Sequence, residues 1–274
     1  MSLAFRFGIV AIAGLAVCAG VAVPAAAFAE DAPLAVEVPL AQAFASTVTP
    51  RLQPPPDIVA AYALRLDDAL ATVRAPQDRP RFALLVDRSP NVQAVLMFWG
   101  TSGRRRLVGA APVSTGLPGR YDHFETPLGA FAHGLGNPDF RAEGTKNELG
   151  IRGYGRKGAR VFDFGWVAAT KGWGDHAVIE MRLQMHATDP ERLEQRLGSA
   201  RSKGCIRIPA SLNAFVDHFG VLDQDYDEAL ARGERFWVLR DDREPTPWAG
   251  RYLVVVDSAA DRRPEWSPLP AARR

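Results

Sequence analysis

From Arg81 onward the chain alternates short apolar runs with glycine-containing turns, the pattern of strands more than of helices. Phe82–Val86 and Ala94–Trp99 are two such runs. Gly100-Thr101-Ser102-Gly103 reads as a hairpin turn, and Leu107–Ser114 as the returning strand. Arg104, Arg105 and Arg106 beside that turn read as a solvated hairpin edge. Further strands are expected over Gly129–His133, Arg160–Phe164, Ala177–His186, Arg235–Arg240 and Tyr252–Asp257. The one helix expected in this half runs from Ser211 to about Phe219, with Leu212, Phe215 and Phe219 on one face. Earlier, Asp57 is expected to cap a packing helix in which Ile58, Tyr62, Leu66 and Leu70 recur at helical spacing, closed by the segment Pro76–Pro80. The patterning therefore predicts a mostly β (α+β) domain with few helices.

The flanks read differently. Arg6 followed by the apolar run Phe7–Val23 and the small-residue site Ala27-Phe28-Ala29 has the form of an export signal over residues 1–29. Counted from Phe7 to Phe28 the stretch could just span a bilayer, but Pro24 and the alanine-rich end favour cleavage; Cys18 could carry a lipid, against which stands the bulky Val17 before it. A membrane role is expected only if the leader is kept or lipidated. Residues 30–80 divide into an extended Pro/Ala-rich linker, ending in Pro54-Pro55-Pro56, and the packing helix. Residues 81–240 form the main domain, and residues 241–274 a final strand and a disordered tail beginning at Arg262. The 274-residue chain carries a net charge of only +2, too balanced for a nucleic-acid binder relying on phosphate neutralisation.

With the leader removed, one cysteine remains, Cys205, in Ser202-Lys203-Gly204-Cys205-Ile206-Arg207-Ile208. An exported protein with a single thiol has no intramolecular disulfide partner. Gly204 before the sulfur would let a substrate approach, and Lys203 and Arg207 place positive charge where a thiolate benefits. Cys205 is therefore read as a nucleophile. Among five histidines, His186 is the best candidate base, because it ends the alternation Val178–Met185 and a loop then returns the chain toward Cys205. His133 reads as a satisfied strand-end histidine, and Asp175 and His176 as loop residues. Ser202 either caps the turn or contacts substrate; Arg207 is either an ion-pair partner or a carboxylate receptor. The histidines are scattered and Cys205 has no second thiol, so neither metal nor cofactor is expected.

These residues carry a resemblance. Ser202-Lys203-Gly204-Cys205-Ile206-Arg207, with a histidine a little under twenty positions upstream, resembles the signature of the L,D-transpeptidase catalytic domain, the YkuD family. Val113-Ser114-Thr115-Gly116 and Thr126-Pro127-Leu128-Gly129-Ala130-Phe131 resemble that family's "STG … TPxGxF" segments, in the same order. The resemblance covers roughly Arg81 to Arg240. It implies a mixed β-sandwich or barrel-like catalytic fold and an enzyme of peptidoglycan cross-linking in the periplasm. There the cysteine is acylated by a stem tetrapeptide with release of D-alanine, and an amine takes the acyl group. By the same resemblance His186 is the base, oriented by the backbone carbonyl of Ala187, and the N–H groups of Gly204 and Cys205 are the natural oxyanion donors. Ser202, Lys203 and Arg207 are expected to bind substrate. One departure stands out: Lys203 occupies the place of the family's second histidine. The competing readings are an L,D-carboxypeptidase or other hydrolase using water as acceptor, and a non-catalytic wall-binding domain.

Overall fold

The structure, a computed structural model, describes residues 34–270. The expected leader, with Cys18, lies outside the described residues. Helices α1 (Leu34–Thr47) and α2 (Pro56–Thr72) precede strands β1 (Arg81–Asp87), β2 (Ala94–Gly100), β3 (Arg106–Pro112), β4 (Gly129–Ala132), β5 (Phe140–Arg141), β6 (Arg160–Thr170), β7 (Val178–Ala187) and β8 (Ile206–Ile208). Helices α3 (Ala210–His218) and α4 (Gln224–Ala231) and strand β9 (Tyr252–Val256) complete the order. The fold is mostly β, of the α+β class. Its strands form two mixed sheets, β3-β2-β1-β9-β4 and β5-β6-β7-β8, and neither closes into a barrel among the described residues. Each sheet has one parallel pair, β1 with β9 and β7 with β8. No described helix is long and apolar enough to cross a membrane.

Layering explains the two kinds of strand in the sequence. Tyr62, Leu66 and Leu70 of α2 cover one face of the first sheet, packing with Ala83, Leu85, Leu96, Phe98 and Val254. Its other face, with Phe82, Leu84, Val86, Met97 and Val255, meets Phe162, Leu183, Met185, Ile206 and Ile208 of the second sheet and Phe215 of α3. A sheet covered on both faces needs unbroken apolar strands, which is what β1 and β2 supply. The second sheet gives only one face to this core. Accordingly β7 sends Met181, Leu183 and Met185 inward and leaves Arg182, Gln184 and His186 on the outer face.

Several expectations are corrected. Residues 34–47, expected to lie in an extended linker, are helical, because Leu40, Phe44 and Val48 recur every four residues and are buried. The Phe44 ring packs edge-on against Phe215 at 5.4 Å and lies over Gly109, where a Cβ would be 2.2 Å from it. Helix α2 starts one residue before Asp57, and its N-cap position is Pro55, so Asp57 lies in the first turn. Arg105 is no solvated edge residue: its Nε donates to Asp67 at 2.9 Å and its Nη1 to the Gly100 carbonyl at 2.6 Å. Residues 235–240 form a turn, not a strand, and the Val238 carbonyl accepts from Arg141 instead of from a ladder neighbour. The final strand expected after residue 240 is β9, which lies between β1 and β4 in the first sheet. The tail up to residue 270 is docked: Ser267 Oγ donates to the Val92 carbonyl at 2.5 Å, and Trp266 packs against Tyr62.

Beneath β6 runs a buried ionic cluster. The Arg160 guanidinium donates to Asp139 at 2.7 Å and, through both Nη atoms, to Asp223 at 2.8 and 2.9 Å. Asp139 also faces His133 Nε2 at 2.8 Å.

Candidate active site

The cysteine turn is built where three segments converge. Ser114 pairs with Arg207 and Gly116 with Ser202 as isolated bridges, so the Ser114-Thr115-Gly116 segment runs beside β8 and its approach. The amides of Arg201 and Ser202 both donate to the Thr115 carbonyl, at 3.0 and 2.9 Å. From the third segment, the Phe124 amide donates to the Lys203 carbonyl at 3.0 Å, and Thr126 Oγ1 donates to the Gly204 carbonyl at 2.6 Å. Thr126 Oγ1 in turn accepts from the Gly116 amide at 2.9 Å. Gly116 permits this closure, since a Cβ there would lie 2.0 Å from the Phe124 carbonyl oxygen. Two segments that are weak signals in the sequence thus hold the cysteine turn from both sides.

Within the turn, Ser202 Oγ donates to the Cys205 carbonyl at 2.5 Å and accepts from the Gly204 amide at 3.1 Å. This corrects two expectations. Ser202 is buried and spends its hydroxyl on the turn, so it is not available to substrate. The Gly204 N–H is consumed by Ser202 and does not face outward as an oxyanion donor. Gly204 itself adopts φ +135°, and a Cβ would lie 2.9 Å from Met181 and 3.1 Å from Phe124. Gly204 thus packs closely against Met181 and Phe124 under the turn.

Cys205 is a free thiol, half-buried, directly before β8. The parallel register pairs Met185 with Ile206 and His186 with Arg207, so Cys205 lies beside Gln184. Its Sγ lies 3.7 Å from the Arg182 carbonyl. Burial pushes the thiol above its ordinary range. The Gln184 amide and Arg207 act against that shift, and Asp163 reinforces it. Lys203 does not act on the sulfur: its Nζ pairs with Asp122 at the surface, and the Lys203 side chain is 65% exposed. The expectation that Lys203 stabilises a thiolate is therefore corrected. The chain direction at Gly204 turns that side chain toward the 118–125 loop.

His186 is only 4% exposed. Its Nδ1 lies 2.6 Å from the Ala187 carbonyl, which can only accept, so Nδ1 carries the proton and Nε2 keeps its lone pair. Nε2 makes no hydrogen bond to a described residue. Burial, with a smaller effect from Arg207, brings the imidazole pKa down to about 4, and the Ala187 carbonyl acts in the opposite direction. The structure brings His186 and Cys205 onto adjacent strands two register positions apart, without a hydrogen bond between them.

Tyr154 is the residue that the sequence reading missed. Its ring packs edge-on against the His186 imidazole at 4.7 Å, and its hydroxyl donates to Gln184 Oε1 at 3.1 Å. It projects from the 142–159 loop, which Asp189 ties to the end of β7 by accepting from the Arg152 amide at 2.8 Å. An aromatic residue between two glycines, Gly153 and Gly155, was the available signal. Arg207 completes the site. Its Nη1 reaches the Arg201 carbonyl at 3.4 Å, its Nε is buried without a partner, and no carboxylate pairs with it among the described residues. Of the two readings open for Arg207, an ion pair within the protein is not the one found. No cluster of described residues has the composition of a metal site.

No protein-family model matches the chain, and no curated protein matches it. Among solved structures the chain is similar to Bd1075 of Bdellovibrio bacteriovorus, with 15% identity, a TM-score of 0.33, and coverage of 66% of this chain and 50% of that one. It is similar also to the helical cell shape determining protein Pgp2 of Campylobacter jejuni, with 15% identity, a TM-score of 0.31, and coverage of 75% and 59%. A third is a fused Zn-dependent amidase/peptidase/peptidoglycan-binding domain-containing protein of Clostridium acetobutylicum, with 15% identity, a TM-score of 0.27, and coverage of 75% and 65%. This chain spans half of Bd1075 and under two thirds of the other two.

Proposed function

We propose that this protein is a cysteine-dependent peptidoglycan L,D-transpeptidase of the YkuD type, acting in the periplasm on stem tetrapeptides. The observation that carries the reading is the tautomer of His186. A carbonyl fixes the proton on Nδ1 and leaves a basic Nε2 on the strand next to the sole thiol of the described chain.

With the thiol pushed up by burial and the imidazole pKa brought down to about 4, the two groups rest as a neutral pair, not as a thiolate–imidazolium pair. Proton transfer then has to accompany attack. As Sγ bonds to the carbonyl carbon of the L,D peptide bond, its proton passes to His186 Nε2. When the C–N bond breaks, that proton leaves with the D-alanine amine, and Cys205 holds a thioester. An acceptor amine then attacks the thioester carbonyl and gives up a proton through His186, and the thiol returns. Arg207, with an unpartnered buried Nε, suits a donor carboxylate. Tyr154 shields the imidazole from water, which favours an amine over water as acceptor.

Intact mass spectrometry of the mature protein with a stem tetrapeptide tests this. The expected result is an acyl adduct on Cys205 with loss of D-alanine, absent from Cys205→Ala. Adding a diaminopimelate amine should convert the adduct to a cross-linked product. Release only to water would assign a carboxypeptidase instead, and no adduct at all would end the reading.

A further inference from the structure

Beyond Cys205, the outer face of the second sheet continues toward the β6–β7 hairpin, where Trp166 and Arg182 stand opposite each other in register. Asp163 is buried, and its Oδ2 accepts from Arg182 Nε at 2.7 Å and from Gln184 Nε2 at 2.8 Å. Its Oδ1 accepts from the Gly165 amide at 2.8 Å. This anchored carboxylate holds the guanidinium by Nε alone. Nη1 and Nη2 make no hydrogen bond to a described residue, and the Arg182 side chain is 39% exposed. The guanidinium carbon lies 5.9 Å from the centre of the Trp166 ring, and Trp166 is itself 62% exposed. A large aromatic left in water on the same sheet face as the cysteine turn, with a pre-oriented guanidinium fork near it, is suited to receive a ligand. The Arg182 backbone carbonyl lies 3.7 Å from Cys205 Sγ, so the residue that carries the fork borders the thiol.

We propose that Arg182 and Trp166 form a donor subsite in which the Arg182 fork binds a carboxylate of the acyl donor and the Trp166 ring supports the adjoining segment. The proposal rests on the transpeptidase reading for the identity of the donor. That carboxylate belongs either to the side chain of the third stem residue or to the departing D-alanine. Both offer two coplanar oxygens to a planar fork. Arg182 is thus a specificity-determining residue, separate from the proton transfers of Cys205 and His186.

Steady-state kinetics of Arg182→Gln with three tetrapeptide donors tests it: one unmodified, one amidated on the third-residue side chain, one amidated on the terminal alanine. The expected result is a KM raised about tenfold for the unmodified donor with kcat little changed, because the lost contact binds ground state and transition state alike. The amidated donor on which wild type and variant become equal identifies the carboxylate. Arg182→Lys, which keeps a charge beside Asp163 but loses the fork, should raise KM as well, and it decides the matter if the glutamine variant does not fold. Alkylation of Cys205 supplies a readout independent of the reaction. The iodoacetate-to-iodoacetamide rate ratio should fall about threefold or more in Arg182→Gln. If wild type turns over no stem peptide yet this ratio falls, the anion subsite stands and the reaction reading fails. Unchanged KM for every donor, together with an unchanged ratio, overturns the subsite and leaves the reaction untouched.

Discussion

His133 and His186 are both buried, at 0% and 4% exposure, and both lie near the C-terminal end of a strand, yet the protein makes opposite use of them. At His133 each ring nitrogen faces an acceptor: Nδ1 the Leu222 carbonyl at 2.9 Å, Nε2 the Asp139 carboxylate at 2.8 Å. Two acceptors require two N–H groups, so the ring is held as a cation. Burial acts against the charge, but Asp139 overcomes it and the pKa is raised. At His186 one acceptor is a neutral carbonyl and the other nitrogen has no partner, so burial is unopposed by any carboxylate and the pKa falls. A histidine becomes a structural cation or a base according to what stands at its second nitrogen. Burial alone does not distinguish the two.

The comparison can be broken at either end. The largest effect is expected from His186→Gln, which should slow acylation of Cys205 about 10²- to 10⁴-fold, followed by mass spectrometry, with little loss of melting temperature. A larger loss from a Lys203 variant would displace His186 as the base. Asp139→Asn strikes the other histidine and should cost about 3–5 kcal/mol of stability in denaturant titrations, because it leaves His133 and Arg160 charged and underpaired. The folded fraction should still be alkylated at Cys205 at the wild-type rate.

The pH dependence of stability should carry both histidines with opposite signs. Between pH 6.5 and about 4 the unfolded chain protonates His186 and the folded protein does not, so stability falls as pH falls, by on the order of 3 kcal/mol. Subtracting the curve of His186→Gln should isolate that slope. His133, raised in the folded state, contributes stability that is full below pH 6.5 and is lost as pH rises through its folded pKa. The smallest effect belongs to Lys203→Ala, which removes an exposed ion pair worth about 0–1 kcal/mol. It should leave the alkylation pKa of Cys205 unchanged, whereas Arg207→Gln should raise it.

The sequence by itself determined whatever rests on local periodicity. The apolar runs of β1 and β2, the alternation of β7 with His186 at its end, the helix after Ile208 and the lone thiol in its glycine turn were all legible, because each is written in neighbours a few positions apart. Helix α1 escaped that reading, although Leu40, Phe44 and Val48 lie every four residues, because the prolines and alanines around them look like linker until Gly109 and Phe215 are seen to accept the Phe44 ring. Helix α4 and the two- and three-residue strands β5 and β8 are too short or too polar to show a period. What only the tertiary structure decided is how each polar group is spent. Ser202 and the Gly204 amide are turned on each other, Lys203 faces Asp122, and the buried Nε of Arg207 is left without a partner. Tyr154 reaches His186 from more than thirty positions upstream. A polar side chain acquires its role from the donors, acceptors and solvent around it. Those partners are set by loops and sheet register, which bring together residues that no local pattern relates.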